Sequence, residues 1–309
     1  MHSQMGHNQN ICAIFRVVPN GSICYNGPMR FTLGLAQVAP VLGDLAANLQ
    51  LHLDMAAAAA GRGVDLLIFP ELALTGYDLG EQAFDVAIRA DATDPTFAAL
   101  LAASQQLDLV VSFVEVDERH RYYITAVYLS GSRLVHRHRK VYLPTYGDFD
   151  EAHTFAHGDR VRAFDTRFGR VGLLVCEDFW HASMPYLLWQ DGADILLLLS
   201  ASLEHGQAEA TSTADKVLAI NRAYALLFTD FVVHVNRVGR EGDGTFWGGS
   251  TVYGPDAALL AEGPHGEPAL VVATLDTDAL RAARLRLPLL RDERPDLTAR
   301  ELERMTHER

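Results

Sequence analysis

Four short apolar runs constrain this chain more than anything else in it. "VDLLIFP", "RVGLLVC", "ADILLLLS" and "DFVVHVN" are nearly unbroken in apolar character, and turn-forming residues interrupt the chain between them. Such runs are expected as buried strands of a sheet whose faces are covered by helices. The intervening segments supply helices. Residues 44–61 predict one, with Asp44 as N-cap and Gly61 as stop. Residues 94–107, 182–191, 208–228 and 277–286 predict four more. "RFTLGLAQV" predicts the first strand, and "DLVVSFVEV", "YYITAVYLSG" and "SRLVHRHRKVYL" a meander. "GGSTVYGP" and "PALVVATL", with "DFVVHVN", are expected to close the sheet. The expected fold class is α/β, one domain over 29–290 with helices on the sheet faces.

Composition fits that picture. At 309 residues and 49% hydrophobic, the chain has enough apolar material for a large core. A net charge of −13 argues against general nucleic-acid or membrane-surface binding. No run of about 18 apolar residues predicts a membrane span. Three cysteines (Cys12, Cys24 and Cys176) form no CxxC pair, so a reducing, cytoplasmic setting is expected. Residues 1–28 lack the basic start and apolar core of a signal peptide. They are expected to be a disordered tail or the product of an upstream start. Residues 291–309 are expected to form a charged tail.

Three of the predicted strands end in a reactive group. "DLLIFPELALTGY" delivers Glu71, "HRHRKVYLPTYGDFDE" delivers Lys140 and "VGLLVCEDFW" delivers Cys176. Functional groups gather just past strand ends in open α/β sheets. Neighbouring strands would therefore bring a carboxylate, an ammonium and a thiol to one cleft. A carboxylate can take a thiol proton and pass it to a leaving amine. An ammonium and the backbone N–H after the cysteine can hold the charge that builds on an attacked amide or nitrile. Each residue also has a plain structural role open to it: Cys176 as a small hydrophobe, Glu71 as a turn residue, Lys140 as part of a solvated basic edge. "GREGDGTFWGG" reads as a mobile loop near the cleft, and Phe179, Trp180 and Trp247 as pocket lining or core. The 13 histidines and "HRHRK" match no HExxH or spaced Cys/His metal pattern. His153, His157 and His234 sit in no recognisable thiol-protease motif.

"FPELALTGY", "RKVYLPTYGDFDE" and "VCEDFW", in that order, resemble the three signatures of the nitrilase superfamily of carbon–nitrogen hydrolases. "LGLAQVAPVLGDLAANL" and "NRVGREGDGTFWGGSTVYGP" extend the resemblance to about residues 30–275. It implies an α-β-β-α sandwich, extended by pairing into dimers. It implies Glu71 as general base, Lys140 as oxyanion stabiliser, Cys176 as nucleophile and Glu151 as the second glutamate that orients substrate or lysine. Within the superfamily, "LPTYGDFDE" and "VCEDFW" are most similar to the glutaminase domain of glutamine-dependent NAD synthetases. That similarity implies Tyr77, Tyr146, Glu177 and Ser202 as substrate-binding residues.

Two departures stand out. No Ser-Gly-Gly-x-Asp-Ser loop of a synthetase domain is present, and "SASLEHGQAEATSTADK" has no Lys or Arg before Lys216. The second weighs against glutamine as substrate, unless His205 takes the place of the missing basic residue. The expected activity is therefore hydrolysis of a small amide by a stand-alone homodimeric amidase without metal or cofactor. Alternatives are a glutaminase subunit feeding a separate synthetase, a nitrilase, and a catalytically silent dimeric binding module.

Overall fold

The computed structural model describes residues 15–17, 23–25, 29–147, 149–204 and 211–308. Strands β1 (Phe15–Val17) and β2 (Ile23–Tyr25) pair antiparallel. The rest of the tail expected over 1–28 lies outside the described residues. The chain continues through β3 (Arg30–Gln37), α1 (Leu45–Gly61), β4 (Leu66–Ile68), α2 (Ala83–Val86) and α3 (Pro95–Ala103). The meander β5 (Asp108–Val116), β6 (Tyr122–Ser130) and β7 (Arg133–Arg139) follows, then the single turn α4 (Glu151–Thr154). Next come β8 (Phe164–Thr166), β9 (Gly169–Val175), α5 (Ser183–Gln190), β10 (Ile195–Ser200), α6 (Thr213–Phe228) and β11 (Phe231–Asn236). Strands β12 (Val238–Glu241), β13 (Gly244–Trp247), β14 (Thr251–Tyr253), β15 (Leu259–Glu262) and β16 (Ala269–Asp276) precede α7 (Asp278–Arg286), α8 (Leu289–Asp292) and α9 (Pro295–His307).

β1–β2 and β12–β13 pair apart, and the other twelve strands make two six-stranded sheets, as the resemblance implies. Their orders are β16-β3-β4-β5-β6-β7 and β15-β14-β11-β10-β9-β8. The strand "PALVVATL", expected to close the same sheet as β11 and β14, instead pairs with β3 along its whole length. The physical reason is that strand alternation forces two apolar faces on each sheet. One is met by helices and the other by the second sheet. Between the sheets, Leu33, Leu35, Ile68 and Val110 pack in one core with Leu173, Val175, Leu197 and Val233. Outside the first sheet, Ala56 and Ala59 of α1 and Phe97 and Leu100 of α3 cover Leu67, Leu109 and Val111. Outside the second, Leu188 of α5 and Val217 and Ala225 of α6 cover Leu174, Leu196, Leu198 and Val232. The layers are therefore α-β-β-α.

The helix predicted over 208–228 is seen from Thr213, with the Ser212 side chain accepting from Asp215 N–H; residues 208–210 lie outside the described set. Among residues 291–309, Pro295–His307 is helical with no residue buried. Among the described residues, no helix is long and apolar enough to cross a membrane.

Two buried histidines make the fold acid-sensitive. Burial lowers His234 to about 3 and His52, despite its contact with the Asn48 carbonyl, to about 4. Both are easier to protonate in the unfolded chain, so they favour the fold fully above about 6.5 and progressively less as pH falls below it. The urea midpoint should therefore drop as pH is lowered from 7 to 5. His234→Leu should flatten that slope; an unchanged slope would remove His234 from the account.

Candidate active site

The reactive residues sit at strand ends, but not on neighbouring strands of one sheet. Glu71 follows β4 and Lys140 follows β7, in the first sheet with β5 and β6 between them; Cys176 follows β9 in the second. The two sheets meet face to face, and their ends converge on one point. Pro70 ends β4, and Leu72 (φ +50°) and Gly76 (φ +89°) curl the segment after Glu71. A Cβ at Gly76 would lie 2.8 Å from the Leu42 Cα, so glycine is required there on two counts. Cys176 opens a 3₁₀ turn, Cys176–Trp180, with φ +45°. Left-handed backbone at a non-glycine residue costs roughly 1–2 kcal/mol and persists where its surroundings hold it.

Lys140 is fully buried between two carboxylates. Its Nζ donates to Glu71 Oε1 and to Glu151 Oε1, each at 2.8 Å. Glu71 Oε2 accepts from Ala201 N–H at 2.9 Å, and Tyr77 donates its hydroxyl to Glu151 Oε1 at 2.7 Å. Ser200 Oγ reaches Cys176 Sγ at 3.6 Å and Ser202 Oγ at 2.7 Å. Burial pulls the Lys140 ammonium down, but the charges of Glu151 and Glu71 prevail and hold it well above its ordinary value. Two carboxylates share this one cation. Burial lifts Glu151, Lys140 pulls it back and Glu71 adds to the lift, so it stays above the usual carboxylate range. Burial and then the Glu71 carboxylate push the Cys176 thiol well up. The resting cysteine is a thiol beside a carboxylate.

A cavity of about 300 Å³ opens over Cys176. Tyr77, Tyr146, Glu177 and Ser202, all expected to bind substrate, line it with Trp180. Tyr146 is 59% exposed and donates to Glu177 Oε2 at 2.8 Å. Glu151 stands behind Tyr77, lining a second cavity of about 240 Å³. The aromatic residues divide: Trp180 faces the cavity, while Phe179 and Trp247 belong to the core.

The glycine-rich stretch is a hairpin rather than an irregular loop. Residues 238–247 form the β12–β13 hairpin, closed by the two residues Gly242 and Asp243 with Gly242 at φ +53°. Its Glu241 carboxylate accepts the N–H groups of Tyr77 and Asp78, at 3.0 and 2.9 Å. Glu241 also pairs with the buried Arg237. Sequence reasoning missed Glu241, Ser200 and Asp178. Lys216, in sequence only the first basic residue after "SAS", is brought into the cavity wall by α6. His205 lies outside the described residues.

Residues 32–285 match the family model for carbon-nitrogen hydrolases. The chain is 34% identical over 274 residues to an (R)-stereoselective amidase of a Pseudomonas species, covering 87% of this chain and 93% of that protein. It is 28% identical to the glutamine-dependent NAD(+) synthetase of Acinetobacter baylyi over 81% of this chain, but spans only 45% of that enzyme. The crystal structure of an amidase from Nesterenkonia sp. superposes with a TM-score of 0.72 at 27% identity, over 88% of this chain and 95% of that one. With the paired sheets and the strand-end residues in place, the chain belongs to the carbon-nitrogen hydrolase family of the nitrilase superfamily, and is a hydrolase of carbon–nitrogen bonds.

Proposed function

We propose that the protein hydrolyses a small amide through a thioester on Cys176. The observation that carries this reading is the buried Glu71–Lys140–Glu151 cluster, whose charges act on the Cys176 thiol at the floor of the cavity. Glu71 takes the thiol proton as sulfur attacks the carbonyl carbon. Lys140 Nζ and the Glu177 backbone N–H hold the oxyanion. The C–N bond breaks, and Glu71 gives its proton to the departing ammonia or amine. Glu71 then takes a proton from water; the hydroxide attacks the thioester carbon, the C–S bond breaks, and the proton returns to sulfur as the acid leaves. No step calls for a metal or cofactor. A Glu-to-Gln variant of the Nesterenkonia amidase carries the acetamide moiety of fluoroacetamide on its active-site cysteine, which supports a nucleophilic sulfur at Cys176 here.

A second reading, glutamine hydrolysis for a separate synthetase, gains from Lys216. The cavity presents a carboxylate, Glu177, and an ammonium, Lys216. A substrate with a free amino acid end needs both partners when it leaves water. On this reading Lys216, from α6, would stand in for the basic residue missing after "SAS".

Ammonia release from a panel of amides tests both readings. Cys176→Ala should abolish release, and Glu71→Gln should lower it by about 10²–10⁴-fold. Turnover of nitriles but not amides would make the enzyme a nitrilase, and activity retained in Cys176→Ala would overturn the thioester. Lys216→Met should raise KM for glutamine by about tenfold or more, a loss of about 1.4 kcal/mol, without affecting an uncharged aliphatic amide. Equal effects on both substrates would remove Lys216 from carboxylate recognition.

A further inference from the structure

We propose that Asp178, held by His138, is a positioning residue that sets where the Cys176 thiol stands relative to the Lys140 ammonium. The inference rests on the reading of these two groups as the reacting pair. Asp178 is fully buried. Its Oδ1 accepts from Val141 N–H at 2.9 Å and Tyr142 N–H at 3.0 Å. Its Oδ2 accepts from Val175 N–H at 3.1 Å and His138 Nε2 at 2.8 Å. A carboxylate has about four lone-pair sites, and here each has a donor. Asp178 has no acceptor left for a substrate or a travelling proton, so its effect passes through what it holds.

What it holds is specific. His138 lies two residues before Lys140, Val141 directly after it, and Val175 directly precedes Cys176. One carboxylate thus bridges the end of β7 in the first sheet and the end of β9 in the second, at the seam where the reacting groups meet. It also closes the turn that keeps Cys176 in its left-handed conformation, because Asp178 lies two residues on and takes the N–H one residue before. That turn aims the Glu177 N–H. His138 is the buried member of an otherwise exposed or half-exposed edge strand, so its inward imidazole ties β7 itself to the cysteine turn, beside the Val141 and Tyr142 N–H groups just past the strand.

The test needs no knowledge of the natural substrate. Iodoacetamide, a small amide electrophile, is used to alkylate the full-length protein, and peptide mass mapping follows modification at Cys176 in wild type, His138→Leu, His138→Asn and His138→Gln, with Tm recorded for each. Glutamine can place an N–H near the position of Nε2, whereas asparagine is too short. The expected result for His138→Leu and His138→Asn is a maximal rate lowered about a hundredfold, as for a reacting group displaced by about 1 Å, with the half-saturating concentration unchanged. His138→Gln should recover most of the rate. If His138→Leu does not fold, the asparagine and glutamine variants decide by their difference in reach. Equal rates in the two, or losses that follow Tm alone, would overturn the positioning role while leaving the triad intact. A wild type that is not alkylated at Cys176 would overturn the triad reading itself.

Discussion

A lysine with no contact with solvent, shared by two carboxylates, is the interaction on which the rest of this structure turns. Lys140 comes from one strand end, Glu71 from another and Glu151 from the single turn α4. Removing a charge of this kind from water costs several kcal/mol, and only close partners offset it. The cluster therefore stays assembled only while all three segments hold their places. Because the carboxylates outnumber the cation, the site carries excess negative charge. Burial first, and then that excess, pushes the adjacent thiol up and keeps it protonated at rest. Stability and reactivity are two readings of one arrangement.

The supports around this cluster tie its carboxylates and their carrier segments to distant parts of the fold. Glu71 is held from the second sheet by Ala201 N–H, and Tyr77 ties Glu151 to the segment that carries Glu71. The β12–β13 hairpin grips that segment from outside through Glu241. Asn236, at the end of β11, accepts from Ser202 N–H at 2.9 Å and so fixes the cavity wall beside the cysteine. Each tie joins parts of the chain far apart in sequence.

That distance explains what the sequence could and could not disclose. The buried strands were legible because "LLI" and "ILLLLS" are apolar on both faces. Glu71 and Cys176 were legible because each ends such a run, whereas Lys140 follows a basic, largely exposed strand and was legible only through its motif. The partition into two sheets was not legible from these runs, since a strand buried by a helix and one buried by another sheet look alike. The β12–β13 hairpin was hidden by glycines that serve its turn and its close packing. Asp178 was hidden because its partners are mostly backbone N–H groups, which every residue but proline carries. Lys216 was hidden by the spacing of a helix, which returns a residue to a cavity that its neighbours in sequence have left.

The placement of Cys176 on one sheet and of Lys140 and Glu71 on the other has a consequence for how the molecule wears out. On the proposed mechanism neither sheet alone holds a working set, so catalysis would measure the alignment of the sandwich. A slip of one residue along a strand is about 3.3 Å, far more than the tolerance of a bond-forming contact. The enzyme should fall silent under strain that leaves every helix and strand still formed. The chemistry is a gauge of how well two slabs are seated, and a finer one than any probe of secondary structure.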